Sequence, residues 1–162
     1  MLKAEIQEAL NKHINAEFYS SYLYLSMAAW LDARNLTGMA AWMKAQAQEE
    51  WGHGMKIYGY LYERGGQVKL DGIQTPPTEW KCPVGVFEEV AKHEEHVTSL
   101  IYGLVELAQS AKDHATNGFL QWFIKEQVEE EATAADILHK LKMIGDSPNG
   151  LFLLDRSLGE RK

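Results

Sequence analysis

Cysteine is nearly missing from this chain. Cys82 stands alone, so no disulfide can form within it. A single thiol fits a reducing compartment, where packing rather than cross-links must hold the fold. Proline is scarce, and all four prolines fall in connections or at the start of a helical segment. No basic run occurs and the net charge is -7, which leaves nucleic acids and anionic membranes without a complementary surface. No apolar stretch reaches the roughly 18 residues that a membrane span needs. The opening MLKAEIQEALNKH lacks a charged region followed by an apolar one, so it does not read as a signal peptide. The expected location is the cytoplasm. Strand alternation, repeats at a solenoid period and low-complexity tracts are missing too.

What remains is helical. Apolar residues make up 46% of the 162 positions and charged residues 24%, an ordinary globular balance. That length suits one domain spanning 1–162. Apolar positions recur with a 3.6-residue period over about 3–33, 37–64, 83–112 and 114–144, with a short segment at 148–158. Gly65-Gly66 and Gly145 mark helix ends, Pro83 and Ser147-Pro148 mark helix starts, and Asp113 is placed to cap the fourth segment. The joins between the first and second segments and between the third and fourth are tight, so each pair reads as an antiparallel hairpin. Residues 66–82, with Thr75-Pro76-Pro77, read as an extended connection. At roughly 3.3 Å per residue it can span helices about 40 Å long. The expected fold class is all-α, a four-helix bundle with a long crossover between its second and third helices and a short fifth helix.

Four glutamates break the apolar pattern. On helical wheels Glu17 lies within the stripe Ile6, Leu10, Ile14, Ala28, Leu31, and Glu50 within Met39, Met43, Ile57, Leu61. Glu94 is central to Phe87, Val90, Val97, Ile101, Val105, and Glu130 to Phe119, Phe123, Ala134, Ile137, Leu141. Depth agrees as well as direction. The midpoint of Glu17 and Glu50 falls beside the first hairpin turn, and that of Glu94 and Glu130 at Lys112 beside the second. Four carboxylates should therefore meet at mid-bundle, with His53 one turn beyond Glu50. A lone helical glutamate is usually solvated. Four on buried stripes would repel, and each unpaired buried ion costs at least several kcal/mol. No Lys or Arg shares those stripes, so a bound cation is the natural counter-charge. An oxygen-rich set with one imidazole and no thiolate excludes structural zinc and iron–sulfur clusters and suits iron or manganese. The Glu50-x-x-His53 spacing puts both side chains on one helix face, an arrangement found in bundles that hold a metal pair.

The segments INAEFYSSYLYLSMA, AQAQEEWGHGMK, KHEEHV and FLQWFIKEQVEEEA resemble ferritins of bacteria and archaea. The resemblance runs over essentially the whole chain. It implies a di-iron ferroxidase centre with Glu17, Glu50 and His53 on the first iron, and Glu50, Glu94 and Glu130 on the second. It implies an oxygen-side role for Gln127. Tyr24 matches the family's site tyrosine, and it either bonds a ligand, donates an electron or simply packs. Glu49, Glu126 and Glu129, sharing Glu130, resemble a third iron site; the alternative is an exposed acidic face. The implied activity is oxidation of Fe(II) by O2 or H2O2, with storage of ferric mineral inside a homo-oligomeric shell of 24 subunits. The alternative is a di-iron peroxidase without storage.

Departures separate the relatives. Gln127-x-x-Glu130 stands where rubrerythrins and ribonucleotide reductases carry a second Glu-x-x-His. Trp51 stands where bacterioferritins have a haem-binding methionine, so no haem is expected. The basic tails of DNA-binding mini-ferritins are missing. His93, His96, His114 and His139 are expected at the surface, and His13 is expected to be structural. Tyr19, Leu23, Met27 and Trp30 are expected to form an unburied flank of the first helix that needs a subunit partner.

Overall fold

Local chemistry sets the helix boundaries. In the computed structural model, which describes residues 1–161, the helices are α1 (Ala4–Asp32), α2 (Thr37–Glu63), α3 (Pro83–Ser110), α4 (His114–Ile144) and α5 (Pro148–Gly159). Pro83 and Pro148 sit in first turns, where the missing N–H has no helical partner to lose. The Thr116 amide donates to the Asp113 carboxylate at 3.0 Å, and the Gly150 amide to Ser147 Oγ at 3.2 Å. Gly65 (φ 70) and Gly145 (φ 59) end α2 and α4 in the left-handed region. The start of α2 is different, because Leu36 offers no capping side chain. Asp155 of α5 supplies the carboxylate instead, accepting from the Met39 amide at 2.8 Å.

Helix α1 packs along α2, α3 along α4, and α5 lies across α2 and touches α4. The connection from α2 to α3 runs up α1 and is hydrogen-bonded to it. Asn11 donates to the Gln67 carbonyl (2.9 Å) and accepts from the Lys69 amide (2.8 Å). Asn15 donates to the Gly72 carbonyl (3.0 Å), and Ser26 to that of Pro77 (2.6 Å). These bonds make the connection the crossover that its length suggested.

The apolar stripes are buried as expected, apart from a half-buried Phe119. They form two clusters. One joins Leu31, Met39, Phe87, Ile137 and Leu154, and the other joins Leu10, Ile57, Ile101 and Phe123. In every long helix the central glutamate falls where one cluster gives way to the other.

One flank differs from expectation. Leu23, Met27 and Trp30 are buried, and Tyr19 is half-buried against them. The crossover is the reason: Trp80 packs edge-on against Trp30 with ring centroids 6.2 Å apart. The exposed apolar side chains of α1 are instead Tyr22 and Leu25.

Helix α5 approaches α2 closely enough that a Cβ on Gly38 would lie 1.8 Å from the Asp155 carbonyl oxygen. Gly→Ala inside a helix normally stabilises by up to about 1 kcal/mol. Here the clash reverses the sign. Gly38→Ala is expected to destabilise by about 1–3 kcal/mol, read as a lower Tm in thermal unfolding, whereas a Tm unchanged or raised would mean α5 is not seated on α2.

Candidate metal centre

The four long helices bring Glu17, Glu50, Glu94 and Glu130 together, and all are buried, at 1%, 1%, 1% and 9% exposure. Three sets of ligand atoms converge to within 4.8 Å: Glu17, Glu50 and His53; Glu50, Glu94 and Glu130; and His53, Glu126 and Glu130. Glu50 belongs to the first two sets. His53 faces both sides of the layer, with Nδ1 3.1 Å from Glu50 Oε2 and Nε2 3.9 Å from Glu126 Oε2.

Neighbouring side chains aim these carboxylates. Tyr24 is fully buried and donates its hydroxyl to Glu94 Oε1. Gln127 Nε2 donates to Glu94 Oε2 at 3.2 Å and to Thr98 Oγ1 at 3.1 Å. Gln46 Nε2 donates to Glu50 Oε1 at 3.3 Å and also to Glu130 Oε2. His13 Nε2 donates to Glu17 Oε1 at 2.8 Å. The second oxygen of Glu17, Oε2, is buried without a hydrogen-bond partner among the described residues. A buried carboxylate oxygen left open beside other carboxylates fits a cation far better than an apolar neighbour.

Proton affinities follow from this crowding. Burial pushes the Glu50 carboxyl well above the usual carboxylate range, and the charges of Glu94 and Glu17 push it further. Burial and Glu94 raise Glu130 to about 8, against the opposing bond from Gln46. Burial raises Glu94 too, opposed by Tyr24 and Gln127. For Glu17 burial acts upward, but the bond and charge of His13 outweigh it and leave the carboxyl below its ordinary range. Burial and then Glu94 lift the Tyr24 phenol well above 10, so it stays protonated. Without a cation the layer therefore holds protons, and a cation that binds must displace them.

The remaining expected residues separate. Glu126 is half-buried and joins His53 and Glu130. Glu49 and Glu129 are exposed on the same cleft but lie outside that set. Glu49 is paired with Arg161, whose NH2 lies 2.6 Å from it. Trp51 is half-exposed and stacks on Phe18, ring centroids 4.0 Å apart. Among the histidines His93 is a correction. It is half-buried, with Nε2 2.8 Å from Ser20 Oγ and its ring edge-on to Tyr24. Burial, then the nearby His96, lowers its pKa to about 4. The wheel pointed His93 away from the stripe, but α1 packs over that flank. Gln46 was missed although its signal was present, one turn before Glu50 on the same stripe. Arg161 gave no signal, because it reaches the site only through the docking of α5.

A four-helix bundle with a crossover, and with paired carboxylate sets sharing one glutamate at mid-depth, defines a metal-binding protein of the ferritin-like class. Comparison with known proteins agrees. A family model described as Ferritin, Ferritin-like domain, matches residues 7–144. A bacterial non-heme ferritin of Bacteroides fragilis (strain 638R) is 47% identical over 161 residues, covering 99% of this chain and all of that one. One from Staphylococcus haemolyticus is 40% identical, covering 99% of this chain and 97% of its own. The open pore ferritin of the archaeon Archaeoglobus fulgidus superposes with a TM-score of 0.99 at 49% identity, over 100% of this chain and 99% of that one. The chain belongs to the ferritin family.

The raised Glu130 makes a pH prediction. A carboxyl that binds its proton more tightly when folded adds stability that is complete below its unfolded value of 4.5 and disappears as pH rises through about 8. For metal-free protein, Glu130→Gln should flatten the fall of Tm between those two values. An unaltered slope would show that Glu130 does not hold its proton in the folded layer.

Proposed function

We propose that this ferritin stores iron, and that its carboxylate layer takes up two Fe(II) ions per chain as substrate and oxidises them with O2 or H2O2. The sharing of Glu50 by two converging ligand sets carries this reading. On it, Glu17, Glu50 and His53 hold one iron, Glu50, Glu94 and Glu130 hold the other, and Glu50 bridges. Hard anionic oxygens favour Fe(III) over Fe(II), so the ligand set itself drives oxidation. Each iron gives up one electron. O2 takes both with two protons to become H2O2, or H2O2 takes both with two protons to become two waters. Protons displaced from Glu50 and Glu130 on iron binding lie beside the reaction. Gln127 and Tyr24 hold Glu94 from two sides, one on each carboxylate oxygen. Tyr24, bonded directly to Glu94, is also a phenol placed to supply a further electron.

Glu49, Glu126, Glu129 and Glu130 are read as ligands of a third iron on the way to a mineral cavity. The haem position of bacterioferritins falls on Trp51, so the reading includes no haem. The alternative to storage, a peroxidase that turns over peroxide at the pair, uses the same ligands and differs only in what happens to the ferric product. Assembly into a shell of 24 copies in the cytoplasm completes the reading. Apolar side chains left exposed, among them Tyr22, Leu25, Phe152 and Leu153, support burial against other copies. No helix among the described residues is long and apolar enough to cross a membrane.

Fe(II) titration of metal-free protein under air tests the proposal. Absorbance should rise fast up to about two irons per chain and then continue, with a large soluble iron core co-eluting with the shell in size exclusion. Oxidation that stops at the pair would favour the peroxidase, and a stable monomer or dimer would rule out the shell. Glu50→Ala should slow the fast phase on the order of 100-fold or more, beyond what loss of an outer-shell partner causes, and leave the helical circular-dichroism signal intact. Glu129→Ala should leave the fast phase alone and change turnover beyond it; an identical progress curve would mean that Glu129 is only part of an acidic face.

A further inference from the structure

Helix α5 delivers an arginine to the cleft beside the candidate metal pair. Its docking is tight: a Cβ on Gly159 would lie 2.9 Å from Gly38 Cα, and Asp155 caps α2. Arg161 follows directly. Its NH2 donates to Glu49 Oε1 at 2.6 Å, and its NH1 donates to Gln46 Oε1 at 3.0 Å and to the Trp42 carbonyl at 3.3 Å. The guanidinium also lies over the Trp42 indole, 4.9 Å from the ring centroid. Its side chain is 22% exposed, which is low for an arginine beside a solvent-filled cleft. The cleft is lined by Glu49, His53, Glu126, Glu129 and Glu130 as well as Arg161.

Two consequences follow from these contacts. With its carbonyl held by Arg161, Gln46 must turn its amide NH2 the other way, and that amide reaches Glu50 and Glu130. Glu49, meanwhile, already has a cation. We propose that Arg161 is a tethered cation that competes with iron for the third position, so that the pair fills before the third ion does. The inference rests on the reading of Glu49, Glu126, Glu129 and Glu130 as a third-iron site. A guanidinium carries one charge and pairs with one carboxylate here, while a divalent ion can engage several at once, so iron displaces it only when supply is high. Release of Arg161 also frees the Gln46 carbonyl. The third ion and the metal pair are thereby coupled, and coupling of binding is reciprocal. Arg161 is a positioning residue in this scheme and touches no reacting atom.

The test uses Zn(II), which does not change oxidation state, titrated calorimetrically into the assembled metal-free protein and its Arg161→Gln and Arg161→Lys variants. The third equivalent should bind about three- to tenfold more tightly in Arg161→Gln, the range expected for removing a half-exposed ion pair. Arg161→Lys keeps the charge and should stay near wild type, which a purely structural role would not predict. A crystal of unaltered protein soaked in Zn(II) should show Glu49 on the metal and parted from Arg161, and this measurement decides the matter if Arg161→Gln fails to assemble. Equal third-ion affinities in all three proteins, or a soaked crystal with the third Zn(II) bound and Arg161 still on Glu49, would overturn the inference and leave the third site standing. Saturation at two equivalents in both wild type and Arg161→Gln would instead remove the third site, and the inference with it.

Discussion

Mutual repulsion among four buried carboxyl groups is the constraint on which the arrangement of this bundle depends. Burial at these depths removes the water that would screen them, and among the described residues no Lys or Arg forms an ion pair with Glu17, Glu50, Glu94 or Glu130. Such a layer persists only if the groups keep protons or acquire an external cation. The molecule does the first through Glu50 and Glu130, and prepares for the second by leaving Glu17 Oε2 open. The two apolar clusters on either side supply the stability that the layer itself cannot.

A ring of neutral donors sets the geometry of the layer. Tyr24, Gln127 and Gln46 each give hydrogen bonds to ligand carboxylates without bringing a charge. Neutral donors orient a carboxylate while leaving its charge for a metal, where a lysine would neutralise it. Only at Glu17, which His13 faces, do the neighbouring groups outweigh burial and leave the carboxyl below its ordinary range. The layer is therefore asymmetric before any ion arrives, with the Glu17 side charged and the Glu50–Glu130 side protonated.

Much of this was legible in the sequence because helix periodicity and hairpin symmetry are local rules. Four stripes and two midpoints sufficed to put four glutamates at one level, and caps such as Asp113 and Ser147 marked helix starts to within a residue. Features that depend on how distant segments dock could not be read this way. Leu23, Met27 and Trp30 looked exposed because a wheel does not show that the crossover will lie on α1. His93 looked exposed because its burial comes from α1, not from its own helix. Arg161 was invisible because its position is set by two glycines in contact more than a hundred residues apart.

The carboxylate that Asp155 lends to the first turn of α2 ties two parts of the chain that are otherwise remote. Free amides at a helix start need acceptors, and Leu36 brings none. Helix α5 is therefore a clasp on the bundle as well as an appendage beyond it. Any motion that lifts α5 away uncaps α2, and fraying there would begin about three turns from Glu50. In this way, rearrangement at the outer end of the subunit reaches the metal layer through the backbone of a single helix.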